Sequence, residues 1–480
     1  MLDLSSALFW LIFFSLIFSI AGVIYSRQTI ECLEDYIVAR NSQTSTSTVL
    51  TLIASSLGAW VLFAPSQAAT WGGISAVIGY SLGAMAPRAA MIPLGKRMRD
   101  LIPEGHSLTE YIVVRFGRSM YVLTLIIMLF YMFITLTAEI TAIAKLMELL
   151  ASVPMWITSL VVVLSTLMYT SYGGLKASIF TDKVQMAIIV PLLAVLFYIG
   201  YKASGGVSYV HTKLSESNPH LLNISDINGI KAGLTFFVAI LLTGLFHQGN
   251  WQRVYAASSN KSMRFGFFIG GMLVVPVIFM MGLLGLAFVA QSNDSDSSVA
   301  LFSLILSEIS PWFVIALIPL GLSLVMSSVD TAISAVSSII VVDVKRIVPS
   351  MSNSGLLKLS RILLFATSIP VLIVASQGYS VLYLFLLADL LCSAAAFPVF
   401  FGMFSRRYSG LAAFISTVLG LLSGLWFFPT PGSQGEYLLE SFLIAGFVPV
   451  VVSVLFIVFQ KKGHSYDLDN MKLLVRKFNN

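Results

Sequence analysis

Long apolar runs alternate with short polar ones along all 480 residues of the chain. A helix needs about 20 mainly apolar residues to cross a bilayer. Windows of that kind fall near 5–26, 46–68, 71–93, 119–147, 154–172, 178–201, 229–250, 264–291, 311–342, 359–376, 379–403, 409–428 and 437–460. The pattern predicts an all-α membrane protein of about thirteen spans, with its two ends on opposite sides of the membrane. The first run has an acidic flank, Asp3, and a core too long for a cleaved leader, so it reads as a retained span. Polar residues inside the runs follow a rule. In "LVMSSVDTAISAVSS", residues 324–338, Ser327, Asp330, Thr331, Ser334 and Ser338 recur every three or four positions and share one helical face.

Composition and charge sharpen this picture. The chain is 57% hydrophobic and 10% charged, where soluble proteins carry about 25% charged residues. With the N-terminus outside, only Lys145, Lys202, Lys213 and Lys231 of the 28 Lys and Arg fall on the outer side. Arg97, Arg99, Arg115, Arg118, Arg253, Lys261, Arg264, Lys345, Arg346, Arg406, Arg407, Lys461 and Lys462 lie in loops assigned inside. That distribution satisfies the positive-inside rule, predicts a cytoplasmic C-terminus, and explains the net charge of +6 without nucleic acid. The acidic loop 292–298 lands outside. No loop is long enough for a second core, so the chain reads as a single polytopic domain. Its core lies at about 46–403, with peripheral helices at 5–26, 409–428 and 437–460 and a cytoplasmic tail at 461–480. Cys32 and Cys392 offer no disulfide framework. The five histidines form no HExxH or triad-like grouping, so no enzyme is implied.

A charge at mid-membrane costs about 2.5–3.5 kcal/mol on insertion scales, so each one needs a reason. The candidates are Glu139, Asp182, Asp330 and Asp389, with Arg88 near the inner end of the third span. Glu139 and Asp389 suit either a functional role or buried hydrogen bonds that hold the bundle together. Asp182, at the inner mouth of the sixth span, suits a helix cap or an ion path. Asp330 lies within one turn of Ser327 and Ser328. Carboxylate beside hydroxyl suits a hard cation, and it suits a proton relay equally well. The second span, "TLIASSLGAWVLFAPSQAATWGG" (51–73), carries Ser55, Ser56, Gly58, Pro65, Gly72 and Gly73 in an apolar context. Such interruption suggests an unwound helix whose freed carbonyls line a cavity; a flexible but continuous helix is the alternative.

At these residues the chain resembles the sodium/solute symporter family, which holds sodium/galactose, sodium/proline and sodium/sialic acid carriers. "LIASSLGAW" resembles the family's broken first core helix, and "GKRMRDLIPEGHSLTEYIVVRFG" (95–117) its signature inner loop. "SYGGLKASIFTDKVQM", "GNWQRVYAA" (249–257) and "MSSVDTAISAVSS" resemble three further family segments in the same order. The resemblance implies a LeuT-type core, spans 2–6 and 7–11 forming inverted repeats and spans 1, 12 and 13 lying outside it. It implies a sodium site made of the carbonyls of Ala54, Leu57 and Leu324 and the hydroxyls of Ser327 and Ser328. Asp182, Asp330 and Thr331 then match a second ion site or a release path, although Asp330 stands where the family has a hydroxyl. The solute pocket falls near Trp60, Val61, Phe63, Glu139 and Phe246.

The same resemblance implies sodium-coupled symport by alternating access, with Na⁺ as coupling ion and a small polar solute as cargo. Trp60 and Val61 replace polar residues of the sugar carrier, which disfavours a sugar. "GNWQRV", "GGLKA" and "LADLLCSAAAFPV" (387–399) resemble most the branch containing urea carriers, and a urea-like solute is the expectation. The rival readings are a proton-coupled carrier using Asp182 or Asp330, a gated channel, and a sensor, for which the 461–480 tail is short.

Overall fold

The computed structural model describes residues 2–29, 32–291, 296–306, 308–429, 437–459 and 465–478. Lys461, Lys462 and most of the acidic 292–298 loop lie outside the described residues. The main helices in chain order are α1 (Leu4–Thr29), α2 (Ser45–Ala54), α3 (Ala64–Leu101), α4 (Leu108–Phe116), α5 (Arg118–Ala151), α6 (Met155–Ala203) and α7 (Ile227–Gly244). The chain continues through α8 (Gln248–Ala256), α9 (Asn260–Gln291), α10 (Pro311–Ile347), α11 (Asn353–Ala375), α12 (Val381–Phe401), α13 (Gly410–Phe427) and α14 (Leu438–Phe459). Among the described residues the one β-type pairing is an isolated bridge between Gln43 and Ala257.

The two longest of the described helices, α6 and α3, each double back at a glycine. A straight α6 of 49 residues would run about 74 Å at 1.5 Å per residue, against about 30 Å of hydrocarbon. Gly174 sits inside it at φ 49° and ψ −141°, a region open to glycine and costly for residues with a Cβ. The hydroxyls of Tyr169 and Thr181, on either side of that glycine, donate to the same Asp330 carboxylate oxygen at 2.7 and 2.9 Å. The chain therefore reverses between them.

Gly73 does the same in α3, at φ 60° and ψ −158°. Thr48 and Leu52 pack at Gly266 and Gly270 of α9, and Ser66 at Gly285. Beyond the turn, Val77 packs at Gly282 and Arg88 at Gly271. The chain thus climbs α9 and descends it again. Ten helices among the described residues are long and apolar enough to span a membrane, α6 being one of them. Counting α6 as two passes, and adding one pass through α2 to Gly72 and one from Ile74 to Leu101, gives the thirteen passes that the hydrophobic pattern predicts.

Small residues set the crossings. A Cβ at Gly79 of α3 would fall on the backbone of Gly233 in α7, so these helices meet backbone to backbone, as small residues allow in membranes. α10 is the most enclosed of the long helices, whereas α11 and α14 show most of their surface outward. The enclosed helix carries the polar stripe, and two interrupted passes lie near it: α2–α3, broken over 55–63, and α7–α8, broken over 245–247.

Candidate cation and solute sites

The interruption after α2 leaves a carbonyl for another partner. The helical ladder closes with Leu57 N–H donating to Ile53 O at 2.9 Å, and a 3₁₀ turn follows at Ala59–Leu62. Ser327 of α10 donates to Ala54 O at 3.0 Å and to Leu324 O at 2.9 Å. Three of the five expected oxygens are therefore gathered at one point. Ser328 is buried beside them, and its Oγ makes no hydrogen bond of standard geometry. Leu57 is buried at the break itself. A buried hydroxyl without a partner normally costs about 1–3 kcal/mol, and a hard monovalent cation liganded by neutral oxygens is the kind of guest that satisfies it.

A second cluster lies around Asp182, Asp330 and Thr331, which the structure does bring together. It also holds a cation of its own. Arg253, only 1% exposed, donates from Nη2 to Asp182 at 3.0 Å and to Thr331 Oγ1 at 2.9 Å. Its Nε donates to Thr51 Oγ1 at 2.9 Å, and Nη1 to Gly249 O at 3.2 Å. Thr51 in turn donates to Asp182. Asp330 makes no ion pair among the described residues; it accepts from Tyr169, Thr181 and, at 2.7 Å, Ser178. A guanidinium thus occupies the space between Asp182 and Thr331 that the family resemblance assigns to a second ion. It also corrects the placing of Arg253 among the loop charges. The segment 248–256 is a short buried helix rather than a loop.

A cavity of about 130 Å³ opens at the break in the second pass, where the solute pocket is expected. Of the residues expected there, Trp60 and Glu139 line it. Val61, Phe63 and Phe246 do not. Phe63 packs on Phe302 at 5.0 Å and Phe246 on Phe400 at 5.6 Å. For Val61 the reason is the 3₁₀ turn at Ala59–Leu62, where successive side chains point about 120° apart, so that Trp60 faces the cavity while Val61 is buried in the bundle. Glu139 faces Gly58, the Ala59 and Trp60 amides and the Ser328 hydroxyl. Asp389 joins it in the lining, as does Arg88, whose guanidinium donates to Ala84 O and Ser56 Oγ. His247 lines the cavity as well and caps α8, its Nδ1 accepting from Gly249 N–H at 3.1 Å.

At one membrane face the loop between α3 and α4 carries a charged knot. His106 contacts Glu34 at 2.7 Å and Glu110 at 3.1 Å. Burial disfavours charge on this imidazole, but the flanking Glu110 and Glu34 carboxylates outweigh burial and hold its pKa up at about 9. Gln248 ties the loop to the core by accepting from Leu108 N–H and donating to His106 O, both at 3.0 Å. The chain after residue 464 folds onto the same face. Phe478 packs on His106 at 4.4 Å, and Tyr466 donates to Val114 O at 2.7 Å.

Sequence reasoning missed Arg253, Tyr169 and Ser178 at the ion cluster and Tyr80, Tyr131 and Phe385 at the cavity. A polar "NWQRV" within an interrupted pass was the available signal for Arg253. For the aromatic residues there was none, because a ring facing lipid and a ring facing a cavity look alike in sequence.

Comparison with known proteins adds to this geometry. The profile described as the sodium:solute symporter family matches residues 36–420. A spermidine transporter of Candida albicans is 24% identical over 426 residues, covering 88% of this chain and 80% of that protein. A probable urea active transporter of Schizosaccharomyces pombe is 25% identical over 398 residues, covering 74% and 58%. Among solved structures, a Na⁺-coupled sialic acid symporter in a substrate-bound, outward-open state superposes with a TM-score of 0.77 at 16% identity, covering 95% of this chain and 98% of that one. At that identity the likeness establishes the LeuT-type fold.

Proposed function

The chain belongs to the sodium:solute symporter family, a family of secondary active transporters and not of enzymes, and from that premise we propose that it couples sodium entry to uptake of a small, polar, nitrogen-rich solute. The observation that carries the sodium assignment is the meeting of Ser327 Oγ with Ala54 O and Leu324 O at the helix break, beside the buried Ser328 hydroxyl. Sodium held there by Ala54, Leu57, Leu324, Ser327 and Ser328 stabilises the interrupted pass and so shapes the adjoining cavity at Trp60 and Glu139. Neutral ligands hold it weakly enough for release after the carrier turns inward. The electrical part of the driving force is about 2.3 kcal/mol per charge per 100 mV.

Asp182, Asp330 and Thr331 serve this cycle as a release path rather than a second sodium site, since Arg253 already neutralises Asp182. The orientation follows the basic loops, with the N-terminus outside and the C-terminus cytoplasmic. A urea-like solute draws support from the sequence branch and from the similarity to the urea carrier. Proteoliposomes loaded without sodium test the reading. An inward sodium gradient should drive uphill uptake of a nitrogenous solute, and collapse of the pH gradient should leave that uptake intact. Uptake that tracks the proton gradient and ignores sodium selects the proton-coupled alternative at Asp182 and Asp330.

A further inference from the structure

The cavity is charged in a way that a neutral solute leaves unanswered. Glu139 is 2% exposed and Asp389 6%, both line the cavity, and neither forms an ion pair among the described residues. Glu139 Oε2 makes no hydrogen bond of standard geometry, and the polar neighbours of this carboxylate, the Ala59 and Trp60 amides and the Ser328 hydroxyl, are all neutral. Near Asp389 the polar neighbours are the Ser393 and Thr243 hydroxyls, which donate to its backbone carbonyl at 2.9 and 3.4 Å. Arg88 is a half-buried cation of the lining, yet its guanidinium is turned to Ala84 O and Ser56 Oγ and bridges to neither acid. Uncompensated carboxylates inside a membrane protein are expensive, and they mark the place where a counter-charge arrives.

Part of the lining is an aromatic run. Tyr80 stacks on Phe236 at 4.8 Å, Trp60 stacks on Tyr80 at 5.8 Å, and Phe385 meets Trp60 edge-on at 6.0 Å. Such faces attract ammonium groups and cover methylene chains. Tyr131, Thr135 and Glu139 form one stripe of α5 at intervals of four residues and all line the cavity. The rise from Tyr131 to Glu139 is about 12 Å. Asp389, next to Thr243, lines the same cavity, as do Tyr131 and Tyr80.

We propose that the solute is a linear aliphatic polyamine, one ammonium meeting Asp389 beside Tyr80 and Tyr131 and another meeting Glu139 beside Trp60. This inference rests on the symport reading and narrows its cargo from a neutral urea-like molecule to a multiply charged amine. Glu139 borders Ser328, so an ammonium there lies next to the sodium site and links occupancy of the two.

The test uses the purified full chain, with spermidine and urea as probes. Spermidine should raise the melting temperature in sodium and urea should not. In proteoliposomes an inward sodium gradient should drive uptake of radiolabelled spermidine. Asp389→Asn should raise the half-saturating spermidine concentration about thirtyfold or more, and Asp389→Glu should restore much of it. Should the Asn variant fail to fold, spermidine stabilisation of the wild type still reads the site. Sodium-driven urea uptake without spermidine uptake or stabilisation overturns the polyamine inference and leaves the symport reading standing. Spermidine uptake indifferent to sodium upholds the polyamine cavity and removes the sodium coupling.

Discussion

The Arg253–Asp182 pair offers a perturbation whose size can be worked from its geometry. Both side chains are essentially inaccessible, at 1% and 0%, and their charged atoms lie 3.0 Å apart. Two unit charges at that distance attract by about 5 kcal/mol at an effective dielectric constant near 20. Deleting one partner of a buried pair costs about 3–5 kcal/mol, most of it the stranded charge. Asp182→Asn strands the guanidinium, although Thr331 Oγ1, Thr51 Oγ1 and Gly249 O still accept from it. Arg253→Gln strands Asp182 close to Asp330, which is worse. Removing both charges together should recover a large part of the loss. Rates of irreversible heat inactivation in detergent read these differences directly, because about 1.4 kcal/mol in the unfolding barrier is tenfold in rate. The cycle should give roughly hundredfold faster inactivation for Asp182→Asn, and a coupling of about 2 kcal/mol or more between the two sites. Additive single variants, coupled by less than about 0.5 kcal/mol, would refute the claim that the arginine fills this cluster.

Two further perturbations address the architecture. Gly174→Ala should lower the yield of folded protein sharply, because a left-handed backbone costs about 1–2 kcal/mol for an alanine and the new Cβ would meet Tyr36; normal yield and an unchanged melting temperature would contradict a turn at Gly174. For His106 the pKa is raised to about 9, so its contribution is complete below its usual value near 6.5 and is lost as pH rises through about 9. Hydrogen exchange corrected for intrinsic rates should therefore show residues 102–110 and 465–478 loosening between pH 7 and 10, and His106→Gln should abolish the pH dependence. Equal loosening in wild type and variant would assign it to other groups.

The passes were legible because each needs a long apolar run, and the polar stripe of α10 because serines at helical spacing stand out within such a run. Gly58 and Pro65 announced the break, and the structure places it between Ala54 and Ala64. Side-chain direction within the break was not legible. A 3₁₀ turn rotates Trp60 and Val61 apart, Phe63 leaves it at φ −124° and ψ −59°, and no pattern in so short a stretch distinguishes that turn from a helix. Arg253 was hidden for a different reason. A buried arginine and a loop arginine have the same neighbours in sequence, and only the approach of Thr51, Asp182 and Thr331 from three other helices tells them apart.

The central claim is that a sodium ion bridges the interrupted pass to Ser327 and Ser328. Its most direct test is the sodium dependence of the melting temperature of the purified protein, titrated against choline at constant ionic strength. In wild type the midpoint should rise saturably with sodium. In Ser327→Ala with Ser328→Ala, the half-saturating sodium concentration should increase about tenfold or more, as expected when two oxygen ligands worth about 1 kcal/mol each are withdrawn. A titration curve identical in the double variant and the wild type would contradict the account.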